Sequence, residues 1–156
     1  PEGLESETLF SESLLLGVPR GDLLSGRTTV SVADLADRDV LALEHGHRMG
    51  EQVRILARAS RARLMEDYQG TSLDGLRQMV GMGMGISLFP TLYVRSEIRN
   101  DSDVVTLPID ANAASRQVTL IWRAESPRRD DYRRLGQIIA TRASEILRET
   151  ETGKQA

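Results

Sequence analysis

The stretch that decides the fold is residues 71–90, TSLDGLRQMVGMGMGISLFP. Thr71 or Ser72 offers a hydroxyl that can cap the start of a helix, and the apolar residues that follow recur at helical spacing. The glycines within residues 81–85 give the backbone freedom to turn sharply, and the short apolar run that ends at Pro90 predicts a buried strand. The stretch therefore predicts a capped helix, a glycine hinge and a core strand, in that order.

The order of these elements argues against a nucleotide site in the glycine cluster. Glycines that hold the phosphates of a dinucleotide follow a strand and open a helix, whereas Gly81, Gly83 and Gly85 end one. A hinge between a helix and a core strand is more typical of a sensing scaffold than of a catalytic one. A nucleotide site is therefore not expected at these glycines.

The rest of the chain alternates short apolar runs with amphipathic segments. Apolar runs predict strands at residues 14–18, 40–43, 104–107 and 118–122. Helical spacing predicts helices at residues 32–36, from 49 to about 61, and from 126 to the end of the chain. Alternating strands and helices favour an α/β fold with parallel strand pairs, in which ligands bind at the carboxyl ends of strands and the amino ends of helices.

The composition narrows the classes of function. The chain has 156 residues, a formal net charge of −3 and no cysteine, which excludes disulfides, thiolate metal sites and cysteine nucleophiles within it. The mildly acidic balance argues against a nucleic-acid-binding module, and no apolar run is long enough to cross a membrane. We expect a cytoplasmic domain without a membrane partner. Because the chain starts at Pro1 without an initiator methionine, we expect it to be a piece of a longer protein.

Patterns typical of catalysis or metal binding are not found in the sequence. Its two histidines, His45 and His47, have Glu44 beside them, but no further ligand stands at a diagnostic metal-binding spacing. There is also no nucleophile elbow or comparable catalytic motif. We therefore expect neither an enzyme nor a bound metal ion or other cofactor.

The first candidate site is the turn at residues 44–48, EHGHR, between a predicted strand and a predicted helix. Free backbone N–H groups at a helix start attract anions, and a guanidinium adds a bidentate donor for a carboxylate or phosphate. Gly46, His47 and Arg48 are therefore candidate ligand-binding residues for an anion. The alternative is structural, with His47 satisfying backbone groups and Arg48 pairing with a neighbouring acid.

Thr71 and Ser72 form the second candidate site. They start a helix that would face the same cleft as residues 44–48, provided that the two strand–helix units are adjacent. Their hydroxyls could contact a ligand, or they could serve only as helix caps, each contributing about 1 kcal/mol to the helix.

Two further groups of residues have structural interpretations. A solvated or subunit-facing surface is predicted for four basic residues on one helix and at its exit, because acids lie close to them in sequence: Arg54, Arg58, Arg61 and Arg63. Core packing is predicted for three methionines, because flexible thioethers commonly fill gaps: Met79, Met82 and Met84.

Three segments of the sequence resemble a known family. The pattern Val-x-x-Gly-x-Gly-Ile-x-Leu-x-Pro, present at residues 80–90, resembles the effector-binding domain of LysR-type transcriptional regulators. Residues 40–52 resemble the redox-cysteine segment of the OxyR-like members, the LsrB group among them, and residues 126–127 match the family's closing segment. Arg48 and Ala57, however, stand where OxyR has its two redox cysteines.

The resemblance implies a periplasmic-binding-protein-like fold of two subdomains. On this mapping residues 1–13 are the end of subdomain I and the first crossover, and residues 14–112 are a complete subdomain II. Residues 113–156 are then the second crossover and the C-terminal part of subdomain I. Both candidate sites would border the effector pocket.

The resemblance also implies a function and partners. It implies the effector-sensing domain of a regulator of oxidative-stress or related genes, which binds a small anionic molecule without cysteine-based peroxide sensing. DNA would be bound through an N-terminal helix-turn-helix outside this sequence, in a homodimer or homotetramer that could contact RNA polymerase. The alternative is a solute-binding or transport-associated module of related fold, which an export signal would favour and a helix-turn-helix would exclude.

Overall fold

The computed structural model describes residues 3–100, 103–110 and 114–152. The chain divides into two compact units, one formed by Pro1–Glu12 with Arg116–Ala156 and the other by Ser13–Ser115. We call them the terminal unit and the central unit. The predicted boundary between residues 112 and 113 lies outside the described residues.

The central unit contains most of the predicted elements. Strand β1 (Leu4–Pro19) enters it from the terminal unit. Within the described residues it is followed by β2 (Val30–Ser31), a 3-10 turn (Val32–Leu35), β3 (Asp39–Leu43), α1 (Arg48–Ser60), β4 (Arg63–Gly70), α2 (Leu73–Gly81), β5 (Ser87–Pro90), α3 (Thr91–Tyr93) with a wider turn (Val94–Ile98), and β6 (Val104–Asp110).

The strands pair in both directions. β3 pairs with β4 and β2 with β6 in parallel, whereas β1 pairs antiparallel with both β5 and β6. The start of β5 lies beside β3, since the Leu41 N–H donates to the Ile86 carbonyl at 2.8 Å. The expectation of parallel pairing was therefore wrong for β1. A helical crossover makes two consecutive strands parallel, but it does not determine the direction of β1, whose neighbours β5 and β6 are distant in sequence.

Residues 71–90 fold as predicted and contribute the centre of the core. In α2 the side chains of Leu76 and Val80 are fully buried, and in β5 Phe89 is fully buried as well. Phe89 packs on Gly17 of β1 so closely that a Cβ there would lie 2.5 Å from the ring. Glycine is therefore required at position 17, where the strand passes beneath an aromatic ring.

Two sequence predictions in the central unit fail for tertiary reasons. Strand β4 was not predicted, because its residues are mostly charged or exposed and only its pairing with β3 defines it as a strand. Met82 does not pack in the core but is 70% exposed. Met82 is the capping residue that follows α2, and the backbone turns outward at the next residue, Gly83, which has a φ of +78°. Met79 and Met84 do pack against the core.

The terminal unit combines the first part of β1 with β7 (Ser115–Arg123), which pairs with it, and α4 (Arg129–Thr152). Gly136 of α4 lies against the strands, with its Cβ position 3.2 Å from the Leu9 side chain. The helix begins three residues after Ser126, whose hydroxyl accepts a hydrogen bond from the Arg128 N–H at 3.3 Å. Among the described helices, none combines the length and hydropathy needed to span a bilayer.

Candidate anion-binding site

The pairing of β3 with β4 brings the two predicted sites to one edge of the sheet. Leu43 and Gly70, the last residues of these parallel strands, are register partners, and the Glu44 N–H donates to the Gly70 carbonyl at 3.1 Å. The chain then continues as the β3–α1 loop, residues 44–47, and the β4–α2 loop, residues 71–72. The predicted site residues are all exposed at this edge: Gly46, His47, Arg48, Thr71 and Ser72.

The β3–α1 loop leaves the start of α1 without a side-chain cap. His47 occupies the capping position in an extended conformation, but its side chain makes no capping hydrogen bond. The first N–H groups of a helix have no partner within the helix, so they stay available here to an outside acceptor. Gly46 reaches this position with a φ of +97°, which a side chain would strain.

Arg48 is the first residue of α1 and is exposed. In the described part of the chain, no carboxylate lies within ion-pair distance of its guanidinium. The alternative interpretation, in which Arg48 pairs with a neighbouring acid, thus has no such ion pair to support it among the described residues. A free guanidinium beside an uncapped helix start is a combination that suits a carboxylate, sulfate or phosphate group.

Each of the two histidines of the β3–α1 loop lies near a carboxylate, but beyond hydrogen-bonding distance. His47 Nε2 is 3.8 Å from Glu44 Oε1, and His45 Nδ1 is 3.8 Å from Glu51 Oε1. Exposed pairs at this distance contribute little, about 0–1 kcal/mol. No cluster of three potential metal ligands occurs among the described residues.

The β4–α2 loop satisfies its own donors. Ser72 is the capping residue of α2, and its hydroxyl accepts from the Gly75 N–H at 3.1 Å. Its neighbour Thr71 is exposed and is not the cap. Of the two hydroxyls predicted for ligand contact, that of Ser72 is thus engaged in the helix, whereas Thr71 faces solvent.

Sequence reasoning missed Arg54. It was predicted to lie on a solvated or subunit-facing surface, but its side chain is only 3% exposed. Nη2 donates to the Leu43 carbonyl at 3.1 Å, while Nε and Nη1 find no hydrogen-bond acceptor in the part of the chain that the structure describes. The guanidinium fits because Gly50 has no side chain: a Cβ there would lie 2.8 Å from Nη1. A glycine four residues before an arginine on one helix face was the available signal.

The arrangement offers positive charge and hydrogen-bond donors at the edge formed by β3 and β4. Arg48 and the start of α1 provide them at the surface, and Arg54 provides them beneath. Glu44 and Glu51 oppose them from exposed positions. Such a set suits the binding of an anion.

Comparisons with known proteins support the same interpretation of the fold. Residues 1–144 match the model of the LysR substrate binding domain. The chain is 36% identical over 134 residues to the DNA-binding transcriptional dual regulator OxyR of Escherichia coli K12, covering 86% of this chain and 44% of that protein. The curated relatives are thus more than twice as long as the matched part.

Solved structures agree with these sequence matches. The crystal structure of the oxidised form of OxyR is similar with a TM-score of 0.77 and 34% identity, covering 92% of this chain and 67% of that one. A Corynebacterium glutamicum OxyR C206 mutant gives a TM-score of 0.82 at 22% identity over 98% of this chain and 48% of that one. The second likeness concerns the fold alone.

Proposed function

The chain belongs to the LysR substrate-binding domain family, and from that membership we propose that it is the effector-sensing regulatory domain of an OxyR-like, LysR-type transcriptional regulator. Its relatives are named as transcription regulators and hydrogen peroxide-inducible genes activators, and not as enzymes. By that likeness the regulated genes belong to oxidative stress or a related response. No cysteine is present in the chain, so neither a sulfenic acid nor a disulfide can form within it.

The effector in this proposal is a small anion held at the edge of β3 and β4. The observation that carries it is Arg48, which is exposed beside an uncapped helix start and has no carboxylate partner among the described residues. Gly46 and His47 shape the loop that presents this helix start, and Thr71 adds a hydroxyl from the neighbouring loop. Ser72 contributes mainly by capping α2.

Replacing Arg48 tests the anion site. A charge-assisted contact is worth about 1.5–3 kcal/mol, so Arg48→Ala should weaken binding of sulfate or malonate roughly ten- to hundredfold. Titration calorimetry at constant ionic strength measures this. Arg58→Ala is the matched control, because Arg58 is an exposed arginine in the last turn of the same helix. Equal affinities for Arg48→Ala and the unsubstituted chain would refute the site.

The absence of thiol chemistry is tested separately with hydrogen peroxide. Concentrations that oxidise a thiol sensor should leave the size and fold of the 156-residue chain unchanged, since it has no thiolate. Mass spectrometry with sizing chromatography reports both. Sulfoxide is expected first at Met82, the exposed methionine, and a large change in association without any sulfoxide would contradict this part of the proposal.

The remaining assignments follow the longer relatives. We assign the central unit to the predicted subdomain II, residues 14–112, and the terminal unit to the crossovers and the C-terminal part of subdomain I. DNA binding is assigned to a helix-turn-helix segment outside this chain, and a homodimer or homotetramer that contacts RNA polymerase is the expected assembly. Sedimentation of the 156-residue chain tests self-association, and a concentration-independent monomer would count against it.

A further inference from the structure

Arg54 lies directly beneath the start of α1 and has unused hydrogen-bonding capacity. Its side chain is 3% exposed, and two of its three nitrogens, Nε and Nη1, have no hydrogen-bond acceptor among the described residues. A buried guanidinium ordinarily has its donors satisfied, because leaving them unpaired is costly. The Leu43 carbonyl satisfies only Nη2.

One of the unused donors, Nη1, lies beside the first turn of α1. The position of a Cβ on Gly50, the third residue of α1, would be 2.8 Å from Nη1 and 2.7 Å from the Leu43 carbonyl oxygen. The guanidinium therefore lies against the first turn of α1, whose capping residue His47 provides no side-chain acceptor. Both sources of unsatisfied donors thus belong to the first turn of α1 or lie against it.

Glu51 is the acid that pairs with Arg54. Its carboxylate is 3.6 Å from Arg54 Nη1, which is too far for a hydrogen bond, and 3.8 Å from His45 Nδ1. The side chain of Glu51 is 57% exposed, so it can rotate into solvent on a fast timescale. Glu51 thus forms a loose ion pair that a better-placed anion could replace.

We propose that Arg54 is the inner, specificity-determining cation of the anion site and that Glu51 occupies the place of the anion when no effector is bound. This inference rests on the proposed function and adds the ligand class: a small oxyanion, such as a carboxylate, sulfate or phosphate, that displaces Glu51 and joins Arg54 to the start of α1. Neutral hydrogen peroxide is not such a ligand. Arg54 makes the site selective for negatively charged ligands, whereas Arg48 attracts such ligands at the surface.

The test uses two substitutions with opposite expected effects. Sulfate, phosphate and malonate are titrated into the 156-residue chain by calorimetry, with sodium chloride holding the ionic strength constant. Glu51→Gln removes the competing carboxylate and should bind oxyanion about three- to tenfold more tightly, while Arg54→Met should bind it at least about tenfold more weakly. Arg58→Met is the control for loss of an arginine from α1 and should leave affinity unchanged.

The outcomes separate this inference from the proposed function. If Arg48→Ala loses binding while Arg54→Met and Glu51→Gln keep the original affinity, the site stands and Arg54 has no role in it. If all three variants bind as the unsubstituted chain does, both proposals fall. Tighter binding by Glu51→Gln with weaker binding by Arg54→Met supports the inference.

A second measurement does not depend on a variant that folds. In the unsubstituted chain, the Nε–H of Arg54 should give an NMR signal that shifts as sulfate is added, because this donor gains an acceptor. Glu51→Gln should reach the same shift at a lower sulfate concentration. A signal that stays in place while that of Arg48 moves would overturn the role of Arg54.

Discussion

Two loops leave the same edge of the sheet and begin two helices, yet they treat their backbone donors in opposite ways. Each helix has glycine at its third position, Gly50 in α1 and Gly75 in α2. In α2 the N–H of that glycine is bound by the Ser72 hydroxyl, whereas α1 has no side-chain cap. The β4–α2 loop thus provides a side-chain cap for the helix that it begins, and the β3–α1 loop does not.

The difference suggests separate roles for the two loops, one in the stability of the fold and the other in ligand binding. Gly70 packs so closely on Leu76 that a Cβ would lie 2.6 Å from its side chain, which anchors the β4–α2 loop to the core. Under the β3–α1 loop the corresponding space is filled by the Arg54 guanidinium, a group with unmet hydrogen bonds. A loop that is closed by its own residues is suited to support, and a loop that lacks partners is suited to receive a ligand.

The largest effect is expected from the anchor of the β4–α2 loop. Leu76→Ala should lower the free energy of unfolding by about 3 kcal/mol, because Leu76 is fully buried and its loss leaves a cavity. Urea denaturation measures this, and Leu73→Ala, at a half-buried position, should cost less. Sulfate affinity of the folded Leu76→Ala chain should be unchanged. A loss of affinity as large as that of Arg48→Ala would show that the two loops do not have separate roles.

The paired glycines should respond with opposite signs. Gly50→Ala should destabilise the chain by about 1–3 kcal/mol, because the new Cβ would meet the Leu43 carbonyl at 2.7 Å and the Arg54 guanidinium at 2.8 Å. Gly75→Ala should stabilise it by about 0.5–1 kcal/mol, since alanine favours a helix and its Cβ meets only the Ser72 oxygen at 3.5 Å. Thermal or urea unfolding of both variants measures the sign and size of the two changes in stability. Two shifts of the same sign would contradict the comparison.

The smallest effects on stability are expected from substitutions at the capping residues of the two helices. Ser72→Ala removes the hydrogen bond to Gly75 and should cost about 1 kcal/mol, whereas His47→Ser should add a cap to α1 and stabilise by a similar amount. His47→Ser should also weaken sulfate binding, because the serine hydroxyl would accept a hydrogen bond from a backbone N–H that the anion uses. Stabilisation with undiminished sulfate affinity would mean that the start of α1 is not part of the site.

Local signals in the sequence predicted the elements but not their surroundings. The α2–β5 stretch was predicted because its cap, its apolar spacing and its glycines lie within twenty residues of one another. The adjacency of the two loops was only a condition of the prediction, because β4 was not predicted and its pairing with β3 brings the loops together. Of the two hydroxyls that could cap α2, that of Ser72 does so. The antiparallel direction of β1 did not follow, because distant strands determine it.

Individual side chains were mispredicted where a neighbour in space decides their environment. Arg54 was expected on a surface because acids lie close to it in sequence, but the gap at Gly50 makes room for its guanidinium beside α1. Met82 was expected in the core because methionine packs well, but it stands where α2 ends and the chain turns outward. Burial at these positions is a property of the assembled fold.

The close fit at Gly50 restricts how position 50 can vary. A Cβ there would come within 2.7 Å of the Leu43 carbonyl oxygen, which belongs to the backbone of β3, and within 2.8 Å of Arg54 Nη1, which ends a long and flexible side chain. The backbone contact alone is enough to require glycine. Among homologues that keep this geometry between β3 and α1, glycine is therefore expected at this position whether or not arginine stands at position 54.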